Sequence, residues 1–297
     1  MTFSEQGLAF DCEGDPLCGI ACVPQNPLPV GVVIVVGGPQ YRVGSHRQFT
    51  QLARSLASAG HPTLRFDVRG MGDSQGAQRT FENLDADIAS AINALMHHVP
   101  GTDGVVLWGL CDGASAALLY VQRQRDRRVA GLALLNPWVR SEASLARTHV
   151  KHYYRKRLLE RDFWTRLLSG RVAASALSDL VRTLRTSRGS SSAGPVRFQD
   201  LMAEGWASAG CPILLLISET DLTALEFVEF TSGNALWQRA MLAHPETRVK
   251  VRGADHTCST PGAKLAVEQA SVQWLGTVHV AQRQSRSHAA GEPAHAR

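Results

Sequence analysis

The chain has 297 residues, of which 44% are hydrophobic and 19% are charged. This composition is typical of globular proteins and excludes a fibrous or fully disordered chain. No apolar run approaches the ~18 residues that a membrane-spanning helix requires, and the N-terminus, MTFSEQGLAFDCEG, lacks the basic region of a signal peptide. We therefore expect a cytoplasmic protein whose length suits one large α/β domain or two small ones.

The positive charge is concentrated in one segment. The net charge is +5, and residues 140–197 hold 13 Lys and Arg against 4 Asp and Glu, so that segment carries +9 and the rest of the chain −4. We interpret it either as a solvated arginine-rich helical face or as a site for an anionic substrate, such as an acyl group on coenzyme A or on a phosphopantetheine carrier. Contact with anionic membrane lipid is a further alternative. No nucleic acid partner is expected, because no recognised motif is present and aromatic residues make up only 6%.

Predicted strands and helices alternate along most of the chain. Two apolar runs around the turn at residues 13–16 predict an N-terminal hairpin, and VGVVIVVGG predicts a strand buried on both faces. Further predicted strands are HPTLRFDVRG, VVLWGL, VAGLALLNP, CPILLLIS and RVKVRGADH. Apolar residues at helical spacing predict helices over residues 49–59, 84–96, 114–122 and 264–275. This alternation predicts an α/β fold with a doubly wound, mostly parallel sheet.

The alternation stops after residue 138. Residues 141–184 are helical in pattern and rich in arginine, and TSRGSSSAGP after them is interpreted as a flexible link. A helical insertion late in such a sheet is expected to form a cap over the active site. We therefore predict an α/β core in two parts, residues 1–138 and residues 206–278. Residues 139–205 are predicted to form an inserted helical cap, and residues 279–297 a disordered tail.

The segment VVLWGLCDGAS carries the candidate nucleophile. It combines a strand, the pattern G-x-C-x-G at residues 109–113, and a helix rich in small residues. Glycines two positions before and after a nucleophile permit the sharp strand-to-helix turn that holds it at the top of a sheet. Cys111 suits this place, because a thiol ionises more readily at a helix N-terminus and beside a protonated imidazole. The alternative is a structural cysteine in a tight turn.

Such a nucleophile requires a base and a group that orients the base, and in this fold the chain order is nucleophile, acid, histidine. Asp221 follows the strand CPILLLIS, and His256 follows RVKV on a loop before the last predicted helix. We therefore predict Cys111, Asp221 and His256 as the catalytic residues. Glu219 is the alternative acid, and Asp255 is expected to cap or brace the histidine loop.

Two backbone N–H groups are expected to stabilise the oxyanion of the reaction. One belongs to Asp112, directly after Cys111, and the other to the turn after the strand VGVVIVVGG. Pro39 in that turn has no N–H to donate. The second donor is therefore Gln40 or Gly38, and the sequence does not choose between them.

Other reactive residues receive a structural interpretation. Cys12, Cys18 and Cys22 are expected to pack as small apolar residues in the hairpin, with a zinc site as the alternative. The turn DVRGMGDS is expected to brace neighbouring loops. His46 faces either the pocket or the solvent. The sequence therefore predicts neither a metal ion nor a cofactor.

Five short segments, VVIVVGG, FDVRGMGDS, GLCDG, ETD and GADH, resemble the α/β-hydrolase superfamily over residues 8–278. More narrowly, VVGGPQYRVGSHRQF, GLCDGASAALLY and LNPWVR resemble the type 1 hydrolase associated with the exosortase A system, which bacteria carry in exopolysaccharide and protein-sorting loci. The resemblance implies an α/β-hydrolase fold with Cys111, Asp221 and His256 as its catalytic residues. A cysteine in place of the usual serine resembles the dienelactone hydrolase type.

These features favour an enzyme that hydrolyses an ester or thioester of a small-molecule acyl substrate through an acyl-enzyme on Cys111. One alternative is an acyltransferase that passes the acyl group to a glycan or lipid acceptor. The other is a non-catalytic partner in peripheral contact with a membrane-bound sorting machine. The basic segment favours that last alternative, but such a partner would not need Cys111, Asp221 and His256 in the required order.

Overall fold

The computed structural model describes residues 2–38, 40–140 and 197–291, with side chains as far as residue 278. The chain divides into two compact units, one formed by residues 1–138 with 197–297 and the other by residues 139–196. Nearly all of the second unit lies outside the described residues. The predicted arginine-rich helices, their flexible link and the cap they were expected to form fall in that part.

One sheet of eight strands forms the centre of the first unit. In chain order the strands are β1 (Phe3–Cys12), β2 (Asp15–Pro24), β3 (Val30–Val35), β4 (Thr63–Phe66), β5 (Gly104–Leu110), β6 (Val129–Leu135), β7 (Ile213–Ser218) and β8 (Thr247–Val251). Their spatial order is β1-β2-β4-β3-β5-β6-β7-β8. The pairs β1–β2 and β2–β4 are antiparallel, and the other pairs are parallel. The predicted α/β-hydrolase fold, with its mostly parallel sheet, is confirmed.

Seven α-helices flank the sheet in the described part of the chain. They are α1 (Gln48–Ser58), α2 (Asp85–His98), α3 (Asp112–Gln124), α4 (Phe198–Ala207), α5 (Leu222–Ser232), α6 (Ala235–Ala243) and α7 (Pro261–Gly291). Helix α1 packs against α7, whereas α2 and α4 pack against α3. None of the helices in the described ranges is long and apolar enough to cross a membrane.

The inner strands are buried on both faces. Every residue of β3, β5, β6 and β7 is buried, and these strands are rich in β-branched and aliphatic residues. Trp108 of β5 illustrates the packing, because its ring centroid lies 6.0 Å from that of Phe49 in α1. Its Nε1 also donates to Ser271 Oγ of α7 at 3.2 Å. Helices α1 and α7, which are far apart in the sequence, therefore both contact the strand that leads to Cys111.

The second part of the core begins earlier than predicted. The division falls after residue 196 rather than after residue 205, because α4 packs on α3 within the core. Gly205 lies so close to α3 that a Cβ on it would approach the Leu118 carbonyl oxygen to 2.2 Å. Trp206 is fully buried, and its ring centroid lies 5.8 Å from that of Trp237 in α6. The predicted cap therefore included a helix that belongs to the core.

The predicted disordered tail from residue 279 also needs correction. The backbone of α7 continues to Gly291 instead of ending near residue 275. Residues 279–291 are rich in Ala, Gln and Arg, which favour helix without producing an apolar stripe. Hydrophobic periodicity therefore could not reveal this extension. Residues 292–297 lie outside the described part of the chain.

The cysteines of the N-terminal hairpin pack as predicted. Cys12 and Cys22 are buried and Cys18 is half-buried, all of them as free thiols. Cys22 Sγ lies 3.6 Å from the Glu5 carboxylate, and Cys18 Sγ donates to the Asp73 carbonyl at 3.4 Å. Within the described ranges no three His, Cys, Asp or Glu side chains are arranged to hold a metal ion.

The candidate residues gather at the carboxyl edge of the sheet. The loops that follow β3, β5, β7 and β8 carry Gly38, Cys111, Asp221 and His256 respectively. In the sheet β3 lies between β4 and β5, so the order of the strands changes direction at β3. In open α/β sheets ligands bind outside the carboxyl ends of the strands, near such a change of direction.

Candidate active site

Cys111 lies in the turn that joins β5 to α3. Its φ of 58° and ψ of −124° are rare for a residue with a side chain. Hydrogen bonds hold the turn, because the Cys111 N–H donates to the Leu135 carbonyl at 2.9 Å. The Cys111 carbonyl accepts from the N–H groups of Ala114 and Trp138 at 3.1 and 3.2 Å. The thiol is thus positioned by a strained but well-fixed turn, as the G-x-C-x-G pattern predicts.

The two glycines of the pattern let the chain approach itself closely. A Cβ on Gly109 would lie 2.5 Å from the backbone N of Ala114, and a Cβ on Gly113 would lie 2.4 Å from the Val35 carbonyl oxygen. Contacts that short force the backbone to move. Only glycine at these positions lets α3 begin directly after β5 and against the end of β3.

The closeness of Gly113 to β3 predicts a large loss of stability in Gly113→Ala. We expect the free energy of unfolding to fall by about 2–3 kcal/mol, because the added methyl group forces a backbone shift. Gly262→Ala is the matched control, since a Cβ at that first-turn position of α7 would meet nothing within 4 Å. That variant should be as stable as the wild type or slightly more so. Urea titration measures both, and equal midpoints for the two variants would contradict the tight turn.

Asp221 both caps helix α5 and contacts His256. Its Oδ1 accepts from the Thr223 N–H at 3.0 Å and its Oδ2 from the Ala224 N–H at 3.3 Å. Oδ2 also lies 2.8 Å from His256 Nδ1, and only 5% of the Asp221 side chain is exposed. A carboxylate at a helix N-terminus is stabilised by the free N–H groups there. The acid is therefore fixed in position and orients the imidazole ring.

His256 connects Asp221 to Cys111. Its Nδ1 is hydrogen-bonded to Asp221, and interactions with the Asp221 and Cys111 side chains raise the pKa of His256 from 6.5 to about 10. The hydrogen bond that the ring donates to Asp221 is the largest cause and the interaction with Cys111 the second, while burial opposes the charge. At neutral pH the imidazole of the free protein is therefore protonated and can donate a proton.

The raised pKa of His256 predicts an alkaline limit to activity. We expect kcat/KM for a reactive thioester to fall as the pH passes about 10, when the imidazolium loses its proton. The same charge stabilises the folded state. Because the folded pKa is raised, this contribution is complete below pH 6.5 and is lost as the pH rises toward about 10.

An NMR titration of the His256 ring measures this group directly. In Cys111→Ala one of the two partners that raise the pKa is absent, so the pKa of His256 should fall below its wild-type value. A wild-type ring that titrates near 6.5 would contradict the paired arrangement.

Glu219, the alternative acid, has other partners. Its carboxylate pairs with Lys250 Nζ at 2.7 Å and accepts from the Gly253 N–H at 3.0 Å. The hydrogen bond from Lys250 is the main cause of a lowered pKa for Glu219. The structure therefore brings Asp221, and not Glu219, to His256.

Further hydrogen bonds fix the loops that carry the acid and the histidine. The N–H and Oγ1 of Thr220 both donate to the Ala254 carbonyl, at 3.0 and 2.8 Å. Asp255 accepts from the Ser259 N–H at 2.9 Å and from its hydroxyl, and these bonds lower the pKa of Asp255. The predicted bracing role of Asp255 is confirmed.

Of the two candidates for the second oxyanion donor, Gly38 has its N–H directed at the turn after β5. It donates to Asp112 Oδ2 at 2.7 Å. The side-chain oxygen of Gln40 instead accepts from the Ser45 N–H at 3.4 Å, within its own loop. The described residues around Pro39, which itself lies outside them, therefore favour Gly38.

The side chain of Asp112 also lies in the site, although the sequence analysis assigned this residue only a backbone role. A Cβ on Gly37 would lie 2.0 Å from Asp112 Oδ1, which is buried without a hydrogen bond of good geometry to any described residue. Burial raises the pKa of the Asp112 carboxyl, while the N–H groups of Gly38, Asp112 and Gly113 and, less strongly, the charge of His256 oppose that rise. An acidic residue directly after the nucleophile, in the first turn of a helix, is the sequence signal that could have indicated this.

Asp67 ties the loop after β3 to the turn after β4. Its fully buried carboxylate accepts from the N–H groups of Arg42 and Asp73 at 2.6 and 3.0 Å and pairs with the Arg42 guanidinium. Ser74 Oγ donates to the Asp67 carbonyl at 2.6 Å. The turn DVRGMGDS is therefore structural, as predicted, and it supports the loop that carries Gly38. His46 in that loop is exposed, which favours the solvent-facing alternative.

The sequence also matches a known protein family. The sequence matches the alpha/beta hydrolase family over residues 32–268, which is well over half of the chain. The chain belongs to the alpha/beta hydrolase family. The predicted class of enzyme, a hydrolase, is confirmed at this level. No curated protein matches the sequence significantly.

Several solved structures of alpha/beta hydrolases are similar to this chain. An esterase from Pyrococcus furiosus has a TM-score of 0.62 at 15% identity, covering 93% of this chain and 91% of that one. A proline iminopeptidase from Mycobacterium smegmatis has a TM-score of 0.60 at 15% identity, covering 93% and 100%. A dienelactone hydrolase from Anabaena variabilis has a TM-score of 0.58 at 16% identity, covering 93% and 99%. At these identities the likeness shows the fold alone.

Proposed function

We propose that this alpha/beta hydrolase uses Cys111 as a nucleophile to hydrolyse an ester or thioester. The observation that carries the proposal is that His256 is hydrogen-bonded to Asp221 on one side and interacts with the Cys111 side chain strongly enough to raise its pKa. Cys111 is also held in a rare backbone conformation, and such strain concentrates at functional sites. Two of the proteins with similar folds are an esterase and a dienelactone hydrolase, which agrees with this reaction class.

Acylation begins with attack of the Cys111 thiolate on the carbonyl carbon of the substrate. The carbonyl electron pair moves to oxygen, and the backbone N–H groups of Asp112 and Gly38 are the proposed donors to that oxyanion. As the tetrahedral adduct collapses, the bond to the leaving oxygen or sulfur breaks and His256 donates its proton to that atom. An acyl thioester on Cys111 and a free alcohol or thiol result.

Deacylation reverses the role of His256. His256 is left neutral when it gives its proton to the leaving group, and acylated Cys111 no longer carries the charge that helps to raise the pKa of the ring. The neutral ring then accepts a proton from water, whose oxygen attacks the thioester carbon. The carboxylic acid leaves, and Cys111 departs as a thiolate beside an imidazolium that Asp221 stabilises.

Trapping the acyl-enzyme tests the proposal. The purified full chain is incubated with p-nitrophenyl esters and with acyl thioesters of coenzyme A and of N-acetylcysteamine, and adducts are located by peptide mass spectrometry. We expect the acyl mass on the peptide that contains Cys111 and no adduct in Cys111→Ala. The absence of any adduct, with undiminished turnover by Cys111→Ala, would refute the proposal.

The basic segment at residues 140–197 supports an anionic acyl donor, linked to coenzyme A or to a carrier. We expect the KM for an acyl-coenzyme A to rise roughly 3- to 10-fold between about 20 and 300 mM salt, because salt screens attraction between exposed charges. The N-acetylcysteamine thioester of the same acyl group carries no charge and is the matched control. An equal response of both donors to salt would contradict an anionic substrate.

The biological system, the location and the acyl acceptor of this protein stay predictions. The link to an exosortase system rests on the narrower resemblance of the sequence, and the cytoplasmic location rests on the character of the N-terminus. Acyl transfer to a glycan or lipid acceptor follows the same acylation step as hydrolysis. The product ratio with and without an added acceptor separates transfer from hydrolysis.

A further inference from the structure

The Asp112 side chain occupies the place where the proposed mechanism needs a free anion site. The Gly38 N–H, which is the proposed donor to the substrate oxyanion, already donates to Asp112 Oδ2 at 2.7 Å. Room for this carboxylate depends on Gly37, because a Cβ there would lie 2.0 Å from Oδ1. The arrangement is thus built into two consecutive glycines and the residue that follows the nucleophile.

We propose that Asp112 is a specificity-determining residue, whose carboxylate keeps the oxyanion site occupied until a substrate with sufficient binding energy displaces it. This inference rests on the proposed function and deepens it. A hydrogen bond from an N–H to a carboxylate is stronger than one to a neutral carbonyl. A small ester, which makes few other contacts, therefore competes poorly for Gly38. A longer acyl donor gains binding energy from contacts remote from its carbonyl and can use it to displace the carboxylate.

Two properties of the carboxylate make its displacement feasible. Its Oδ1 is buried without a well-formed hydrogen bond to the residues described, an unfavourable state that ends when the side chain reaches solvent. Burial also raises the pKa of the carboxyl, which is the effect of poor solvation on a charged group. In the free enzyme the carboxylate therefore accepts a hydrogen bond from Gly38 through Oδ2, while its Oδ1 lacks a well-formed one within the described part of the chain.

Kinetics of Asp112→Ala and Asp112→Asn in the full chain test the inference with p-nitrophenyl acetate and p-nitrophenyl octanoate. Asp112→Ala removes the carboxylate and keeps both backbone N–H groups. We expect its kcat/KM for the acetate to rise about tenfold or more, with a smaller change for the octanoate. Asp112→Asn keeps the shape without the charge and should raise the acetate value by a smaller factor. The octanoate-to-acetate ratio of kcat/KM thus falls in both variants, which a loss of structure alone would not produce.

The NMR resonance of the Gly38 amide checks the contact without turnover. We expect its proton to move upfield in both variants, further in Asp112→Ala, as the charged acceptor is lost. An unmoved amide, or an acetate kcat/KM that falls or stays unchanged in a folded variant, would overturn the inference while the Cys111 acyl-enzyme still formed. A shifted amide with no acyl-enzyme in any of the three proteins would overturn the proposed function, and the inference with it.

Discussion

Replacing Cys111 with alanine is expected to lower kcat for an ester or thioester by about 10⁴-fold or more, because the variant has no atom to form the acyl-enzyme. KM should change little, since the thiol acts in the transition state more than in substrate binding. The residual rate would come from substrate binding and the oxyanion donors alone. Steady-state kinetics with matched ester and thioester donors measure both parameters.

Two further variants test whether the loss of kcat in Cys111→Ala is due to the loss of the nucleophile. Cys18→Ala removes a half-buried thiol of β2 whose hydrogen bond goes to the Asp73 carbonyl, and it should keep the wild-type rate. Cys111→Ser keeps a nucleophile of similar size that ionises far less readily, so an intermediate rate is expected. If Cys111→Ala kept about a tenth of the wild-type rate or more, Cys111 would not be the nucleophile.

Asp221→Asn is expected to lower kcat by about 10²- to 10³-fold, and to lower stability at neutral pH by the part of the His256 contribution that Asp221 supplies. The amide cannot balance the charge of an imidazolium, and Asp221 is the largest cause of the raised pKa of His256, so that pKa should also fall. Asparagine is as good an N-cap as aspartate, and its oxygen can still accept from the N–H groups of Thr223 and Ala224. Kinetics, the His256 titration and urea unfolding of the same variant separate catalysis from folding.

Glu219→Gln is the matched control for Asp221→Asn. It makes the same chemical change two residues earlier, where the carboxylate pairs with Lys250 instead of His256. Surface ion pairs contribute little to stability, so both activity and unfolding should stay close to the wild type. A loss of kcat in Glu219→Gln as large as that in Asp221→Asn would show that the acid has been wrongly assigned.

Local patterns in the sequence were sufficient to predict the strands that form the sheet. The run of β-branched residues at Val30–Val35 predicted a strand buried on both faces, and all six of its residues are buried. The predicted helix at residues 49–59 forms as Gln48–Ser58. The helices Leu222–Ser232 and Ala235–Ala243 were not predicted. Their burial depends on partners distant in sequence, such as Trp206, against which Trp237 packs.

Two segments were assigned wrongly from local sequence pattern: α4 was predicted to lie in the cap, and the end of α7 was predicted to be disordered. Helix α4 follows the Ser/Gly-rich link that was expected to lie inside the insertion, and its own sequence does not tell which unit it joins. The close approach of Gly205 to the Leu118 carbonyl in α3 decides that it belongs to the core. At the other end, the backbone of α7 continues to Gly291 through a segment that lacks the apolar periodicity by which a helix is predicted.

The sequence by itself determined the turn at Cys111, because the two glycines and the strand and helix on either side of Cys111 are neighbours in the chain. Chain order also determined that an acid and a histidine would meet it, since parallel strands bring their carboxyl ends to one edge. Only the tertiary structure brought Asp221, and not Glu219, to His256, and only it directed the Gly38 N–H at the turn after β5. It alone placed the Asp112 carboxylate against Gly38, which lies 74 residues earlier in the chain. Which oxygen or N–H faces the site depends on packing between loops far apart in sequence, and local pattern carries no information about that.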